Sequence, residues 1–121
     1  MATPRSLTPA SRAKAATPRE AVIAGLRRLQ VFVLLAETFQ ALGDASRVQI
    51  TWALSHGEFA VGELAELVHM SQPAVSHHLR TLRNLRLVRV RRDGRTLYYS
   101  LDDEHIDRLL REGIRHVEDF L

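Results

Sequence analysis

The sequence contains no cysteine. That absence excludes disulfides, thiolate zinc centres and cysteine nucleophiles, and leaves imidazole and carboxylate as the strong metal donors. Lysine is nearly missing as well, since all of the 17 basic residues except Lys14 are arginine. No apolar run reaches the length of a membrane span, and the Ser/Thr/Pro/Ala-rich start has no apolar signal core; both point to a cytoplasmic protein without a membrane partner. Residues 1–55 hold no histidine. No HExxH helix, glycine-rich phosphate loop or serine-based triad occurs, so neither catalysis nor a small organic substrate has support, and the chain is read as a non-enzyme.

What is present suits one small domain. A chain of 121 residues that is 45% apolar can bury a core, and dimerisation would extend that core. The net charge is only +3, but it is unevenly spread. Between Leu67 and Leu101, Arg80, Arg83, Arg86, Arg89, Arg91, Arg92 and Arg95 face a single acid, Asp93. A basic surface without a basic amphipathic helix suggests phosphate contact, the alternative being a solubilising face.

Residues 1–18 read as a disordered tail, with Arg5, Arg12 and Lys14 available for nonspecific DNA contact, and residues 19–121 as the folded domain. Thr17-Pro18 followed by Glu20 is a helix start. Dense apolar residues from Val22 to Leu42 then make one or two helices, stopping at Gly43, and the Val31–Leu35 run asks for burial by a partner subunit. Asp44 caps a helix over Ala45–Ser55 with Val48, Ile50, Trp52 and Leu54 inward. A short helix follows from Val61 to His69, with Leu64, Leu67 and Val68 inward. Ser71 then caps another in which Val75, Leu79 and Leu82 pack, while Gln72, Ser76, His77, Arg80, Arg83 and Asn84 face outward. Two short helices joined by a tight turn, the second with a small-polar and basic face, form a helix-turn-helix. Leu87–Arg92 and Arg95–Leu101 alternate as strands around Asp93-Gly94, a hairpin with an arginine-rich tip. The fold class is therefore mainly α with a small β-hairpin wing, a winged helix-turn-helix. Ser71, Gln72, Ser76, His77 and Arg80 are the expected groove-facing residues, and Arg91, Arg92 and Arg95 the expected backbone contacts. His56 and His69 read as helix-end residues, Met70 and Trp52 as core.

The last twenty residues place two groups of metal donors, Asp102-Asp103-Glu104-His105 and His116 to Asp119, on one helix. With His105 at zero and about 100° per residue, His116 falls at about 20° and Asp119 at about −40°. The apolar stripe of Ile106, Leu109, Gly113, Val117 and Phe120 centres near about 80°. The donors thus share a shoulder of the face that would be buried, but the histidines lie about 16 Å apart along the axis. Zinc holds imidazole at about 2.0–2.1 Å, so one ion cannot bridge them within a chain. An antiparallel second copy would join them into two symmetric sites. The plainer alternative is that Asp102 and Asp103 are N-cap residues and that Glu112–His116 is an ordinary i, i+4 pair.

Several segments resemble the ArsR/SmtB family of bacterial winged-helix repressors. They are Ala41–Arg47, Gly62–Ala65, Ser71–Leu82, Gly94–Leu101 and the final helix, and the likeness runs from about Phe32 to the C-terminus. The resemblance implies a homodimer through the first and last helices, bound to an inverted repeat in operator DNA and released by inducer. Thiol-based sensors of the family carry cysteine where this chain reads Glu58–Leu64. The other type resembles Asp-x-His-x10-His-x2-(Glu or His), matched here by Asp103, His105, His116 and Asp119. Asp119 is one methylene short, so Glu112, Glu118 or water could take its place. Two imidazoles and two carboxylates in a closed set suit Zn(II), with Co(II) as a mimic. Related nickel sensors recruit an N-terminal histidine, which is missing here. The expected function is a metal-responsive repressor whose metal-free dimer holds the operator and whose zinc form releases it. The alternative is a winged-helix regulator without metal input. A metal-dependent hydrolase is disfavoured because a closed site leaves no position for water.

Overall fold

The computed structural model describes residues 15–121. The tail expected over residues 1–18, with Arg5, Arg12 and Lys14, lies outside the described residues as far as residue 14. Ala15 to Thr17 are exposed coil, and a helix opens at Pro18. The chain divides at Leu34–Leu35 into two compact units.

The first unit holds α1 (Pro18–Leu26) and the start of α2 (Leu29–Ala41). Thr17 and Glu20 form a reciprocal capping box, with bonds of 2.8 Å from Thr17 N–H to Glu20 and 3.1 Å from Glu20 N–H to Thr17. The apolar stretch breaks once, where Arg28 N–H turns back to the Gly25 carbonyl at 3.0 Å. Val22, Ile23, Leu26, Leu29 and Val31 to Leu34 are all exposed, as expected of surface awaiting a partner.

In the second unit, Asp44 caps α3 (Ala45–Leu54) by accepting from Arg47 N–H at 3.0 Å. Then come β1 (Phe59–Ala60), α4 (Val61–Val68), α5 (Gln72–Asn84), β2 (Val88–Asp93), β3 (Thr96–Leu101) and α6 (Glu104–Glu118). Ala41, Ile50, Leu54, Leu64, Ala65, Val75, Leu79, Leu82, Leu87 and Val88 form one buried cluster, so α3, α4, α5 and β2 share a core. Thr51 is its buried polar member, and its hydroxyl donates to the Arg47 carbonyl at 2.7 Å. Arg47 in turn ties α3 back to α2 through a 2.6 Å bond from Nε to the Ala41 carbonyl.

Two expectations need correction. Trp52 and Leu67 are not core: they are 50% and 55% exposed beside an apolar cavity of about 650 Å³ that Ile114 also lines. Helical spacing gives the face a residue occupies, not whether this chain covers that face. The hairpin turn is shifted by one residue, since Asp93 pairs with Thr96 and the loop is Gly94-Arg95. Gly94, at φ +62°, supplies the left-handed position, and Arg95 is not left-handed, as in a II′ turn. The hairpin wing also gains a strand from outside the hairpin. β1 pairs with β3 in the register Phe59↔Tyr99 and Ala60↔Tyr98, giving a three-stranded antiparallel sheet in the order β1-β3-β2. Two residues are too short to show alternation, so β1 has no signal in the sequence. Met70 does pack against the core.

Truncating Leu82, which is fully buried on α5, tests this core. Leu82→Ala should cost about 2–5 kcal/mol in urea unfolding; a loss below about 1 kcal/mol would place the side chain outside it.

Candidate nucleic-acid interface and metal half-sites

α4 ends at His69, which takes the left-handed conformation at φ 56°, and Met70 N–H then closes on the Ala65 carbonyl at 3.1 Å. The chain reverses there, and Ser71 starts α5 by accepting from Ala74 N–H at 3.2 Å. Val75, Leu79 and Leu82 anchor α5 in the core. Its opposite side exposes Gln72, His77, Arg80, Arg83 and Asn84, with Ser76 half-buried. Of the five residues expected to face a groove, Gln72, His77 and Arg80 are exposed on α5, Ser76 is half-buried there, and Ser71 is exposed at its N-cap. Gln72 is partly committed, since its amide lies against Gly62, where an added Cβ would sit 3.4 Å from Nε2. His78, next to exposed His77, turns inward, with Nδ1 3.4 Å from Arg47 Nη1. His56 stays at the end of α3, with Nδ1 2.9 Å from the Trp52 carbonyl oxygen.

The wing arginines are not equivalent. Arg91 binds Glu58 at 2.9 Å and lies 4.8 Å from the centre of the Tyr98 ring. This hydrogen bond holds the Glu58 carboxyl below its ordinary range and keeps Arg91 more firmly protonated. Arg92 and Arg95 are exposed and have no ion-pair partner among the described residues. Sequence spacing missed the Glu58–Arg91 pair because it spans 33 residues and depends on the unforeseen strand β1.

The last helix, α6, begins at Asp103, whose Oδ1 accepts from His105 N–H at 2.9 Å and Ile106 N–H at 3.2 Å. The same oxygen lies 3.4 Å from His105 Nδ1. Desolvation pushes the Asp103 carboxyl up, but the Ile106 N–H, the His105 ring and the His105 N–H together hold it below its ordinary value. The cap thus fixes one carboxylate oxygen and one imidazole side by side and leaves Oδ2 uncommitted. At the far end, His116 stands edge-on to Phe120 with ring centres 5.6 Å apart, and Asp119 is the C-cap. Glu112 pairs instead with Arg115 at 3.5 Å.

Among the described residues, no group of three or more His, Asp or Glu side chains gathers around one point. Asp103 and His105 are in contact at the start of α6, and His116 and Asp119 lie near its other end. No residue of α6 is buried. Its apolar side borders a groove of about 490 Å³ with Phe39, Leu42 and Val48.

A reading helix anchored by its apolar face, followed by an arginine-bearing hairpin, defines a winged helix-turn-helix of the DNA-binding class. Comparison with known proteins agrees: residues 44–90 match the model of the bacterial regulatory protein arsR family. The chain is 42% identical over 83 residues to a cadmium resistance transcriptional regulatory protein, a CadC homologue from Staphylococcus aureus, covering 68% of this chain and 69% of that one. It is 47% identical over 85 residues to a transcriptional repressor SmtB homologue from Synechocystis sp., covering 70% and 64%. The matched stretch therefore spans about two thirds of each relative's length. A homodimeric winged helix-turn-helix DNA-binding domain from Mycobacterium bovis, solved in solution, superposes with a TM-score of 0.70 at 31% identity, covering 77% of this chain and 85% of that one. The protein belongs to the arsR family of bacterial transcriptional regulators, and it is not an enzyme.

The unequal wing gives a measurable ranking. Arg92→Ala and Arg95→Ala should each flatten the salt dependence of DNA binding, by about 0.9 in log–log slope for every phosphate left unneutralised. Arg91→Ala, whose guanidinium is engaged by Glu58, should change it less. Fluorescence anisotropy at several salt concentrations checks the order, and a larger effect at Arg91 would reverse it.

Proposed function

We propose that this chain is a metal-responsive transcriptional repressor acting as a cytoplasmic homodimer. In this reading the metal-free dimer holds operator DNA, and Zn(II) shared between the two α6 helices releases it. The observation that carries it is the contact of Asp103 with His105 at the start of α6, with His116 and Asp119 near its other end, on a helix none of whose residues is buried. The regulator and repressor roles are supported by the family and by the repressor function of the Synechocystis relative. The homodimer is supported by the Mycobacterium bovis domain.

Asp103, His105, His116 and Asp119 are the ligand set. Capping supports it by holding Asp103 and His105 in a fixed relation before any metal arrives. Zinc suits two imidazoles and two carboxylates, with Co(II) as a substitute, whereas the cadmium of the Staphylococcus relative favours thiolates that this chain lacks. When bound, the ion supplies a four-coordinate link between two helices. The helices themselves set the spacing of the two α5 reading helices. On the DNA side, Ser71, Gln72, Ser76, His77 and Arg80 face the major groove, and Arg92 and Arg95, with Arg91 where Glu58 releases it, contact the backbone.

A second reading, a regulator of the same fold without metal input, rests on the fact that Asp103 already serves as an N-cap. A chelator-controlled anisotropy titration on the protein's own promoter DNA separates the two. Saturating zinc should weaken binding by about 5–150-fold, the usual range of allosteric coupling, and DNA must weaken zinc binding by the same factor. His105→Ala and His116→Ala should abolish the response while leaving zinc-free DNA binding intact. Unchanged affinity at saturating zinc would sink the metal mechanism.

A further inference from the structure

A polar cleft of about 660 Å³ opens beside the reading helix, between α5 and the sheet. It is lined by Ser76, Arg80, Arg83, Asn84, Arg86 and Tyr99, so three guanidinium groups, a hydroxyl, an amide and a phenol surround it without a carboxylate. None of the three arginines has an ion-pair partner among the described residues. Uncompensated positive charge around a concave surface raises the local concentration of anions.

The backbone marks one of the three. α5 ends with Leu85 as its cap, and Arg86 then sits in the left-handed region at φ 59°. Arg86 N–H returns to the Arg83 carbonyl at 3.0 Å and Leu87 N–H to the Leu82 carbonyl at 2.9 Å, the Schellman arrangement, with the buried Leu82–Leu87 contact that accompanies it. That position ordinarily takes glycine, because a Cβ there is strained. The conformation itself is required, since the chain must turn at once to bury Leu87 and Val88. An arginine is not required for the turn and makes it worse. Strain retained at a residue whose side chain lines a basic cleft points to a use for that side chain.

We propose that this cleft is a phosphodiester-binding notch for duplex DNA, with Arg86 as a positioning residue that clamps one backbone phosphate beside the groove read by α5. Ser76 and Arg80 lie on the wall shared with the reading face, so a phosphate held here fixes the depth and register of the helix without reading sequence. The inference rests on the DNA-binding reading and is independent of the metal response.

Arg86 allows a test in which stability and binding move in opposite directions. In Arg86→Gly and Arg86→Asn, both of which tolerate the left-handed turn, the melting temperature should stay level or rise. Binding to a labelled mixed-sequence duplex of about 30 base pairs should weaken several-fold at low salt, with the log–log salt slope flatter by about 0.9. Arg86→Lys, which keeps the charge, should retain the slope. An unchanged slope in both Gly and Asn variants overturns the notch, whether affinity holds or falls equally at every salt concentration. If the wild-type protein itself showed no salt-dependent binding to duplex, the DNA-binding reading would fail, and the notch with it.

Discussion

The proposed sensor depends on a helix that its own chain does not bury. α6 runs for 15 residues with a strong division of polar and apolar sides, yet only Ile106 joins the packed core, and Leu109, Val117 and Phe120 remain exposed. An amphipathic helix held this loosely gains most of its stability from tertiary contact, so a solvent-facing apolar stripe calls for a second surface. The donor residues meet the same constraint from the chemical side. Asp103 and His105 are fixed together at one end, and His116 and Asp119 lie at the other, too far away to complete a tetrahedron. A second antiparallel copy would satisfy hydrophobic burial and the proposed coordination at once, and this economy is the main support for the proposed dimeric sensor.

The reading head is organised by the opposite kind of constraint, full burial. Val75, Leu79 and Leu82 hold α5 rigidly in the core, so the residues between them must project outward. The Schellman turn then brings the chain directly into β2, and β1 fastens the wing to the body by pairing with β3. Glu58, next to β1, draws Arg91 back toward that body, leaving Arg92 and Arg95 as the outward cations of the tip. The basic surface is therefore divided: some charge is committed to internal structure and some is left uncompensated, in the wing and in the cleft beside α5.

Much of this was legible in the sequence where the signal is local. Thr17, Asp44, Ser71 and Asp103 act as the N-caps that their positions announce, and the i, i+4, i+7 spacing of Val75, Leu79 and Leu82 identifies the buried face. The features missed are non-local or depend on exposure. β1 is two residues long and exists only through its partner, and Glu58–Arg91 follows from it. Trp52 and Leu67 have core-like identities but face a cavity that only the fold reveals. The one-residue shift of the hairpin reflects φ: Gly94 takes the first loop position because a II′ turn needs its left-handed residue there. For the proposed metal donors, helical spacing sets their separation along α6, and the fold adds that Asp103 and His105 are already in contact.

The most direct test of the shared site is complementation between two inactive chains. His105→Ala and His116→Ala homodimers each lack one of the two imidazoles at both sites, so neither should take up zinc at the α6 pair. A differently tagged mixed dimer of the two variants regains one intact site, formed by Asp103 and His105 of one chain with His116 and Asp119 of the other. Calorimetric zinc titration of the purified mixed dimer should recover half the wild-type stoichiometry. A mixed dimer that binds no more zinc than its parents would contradict the inter-subunit site and the mechanism built on it.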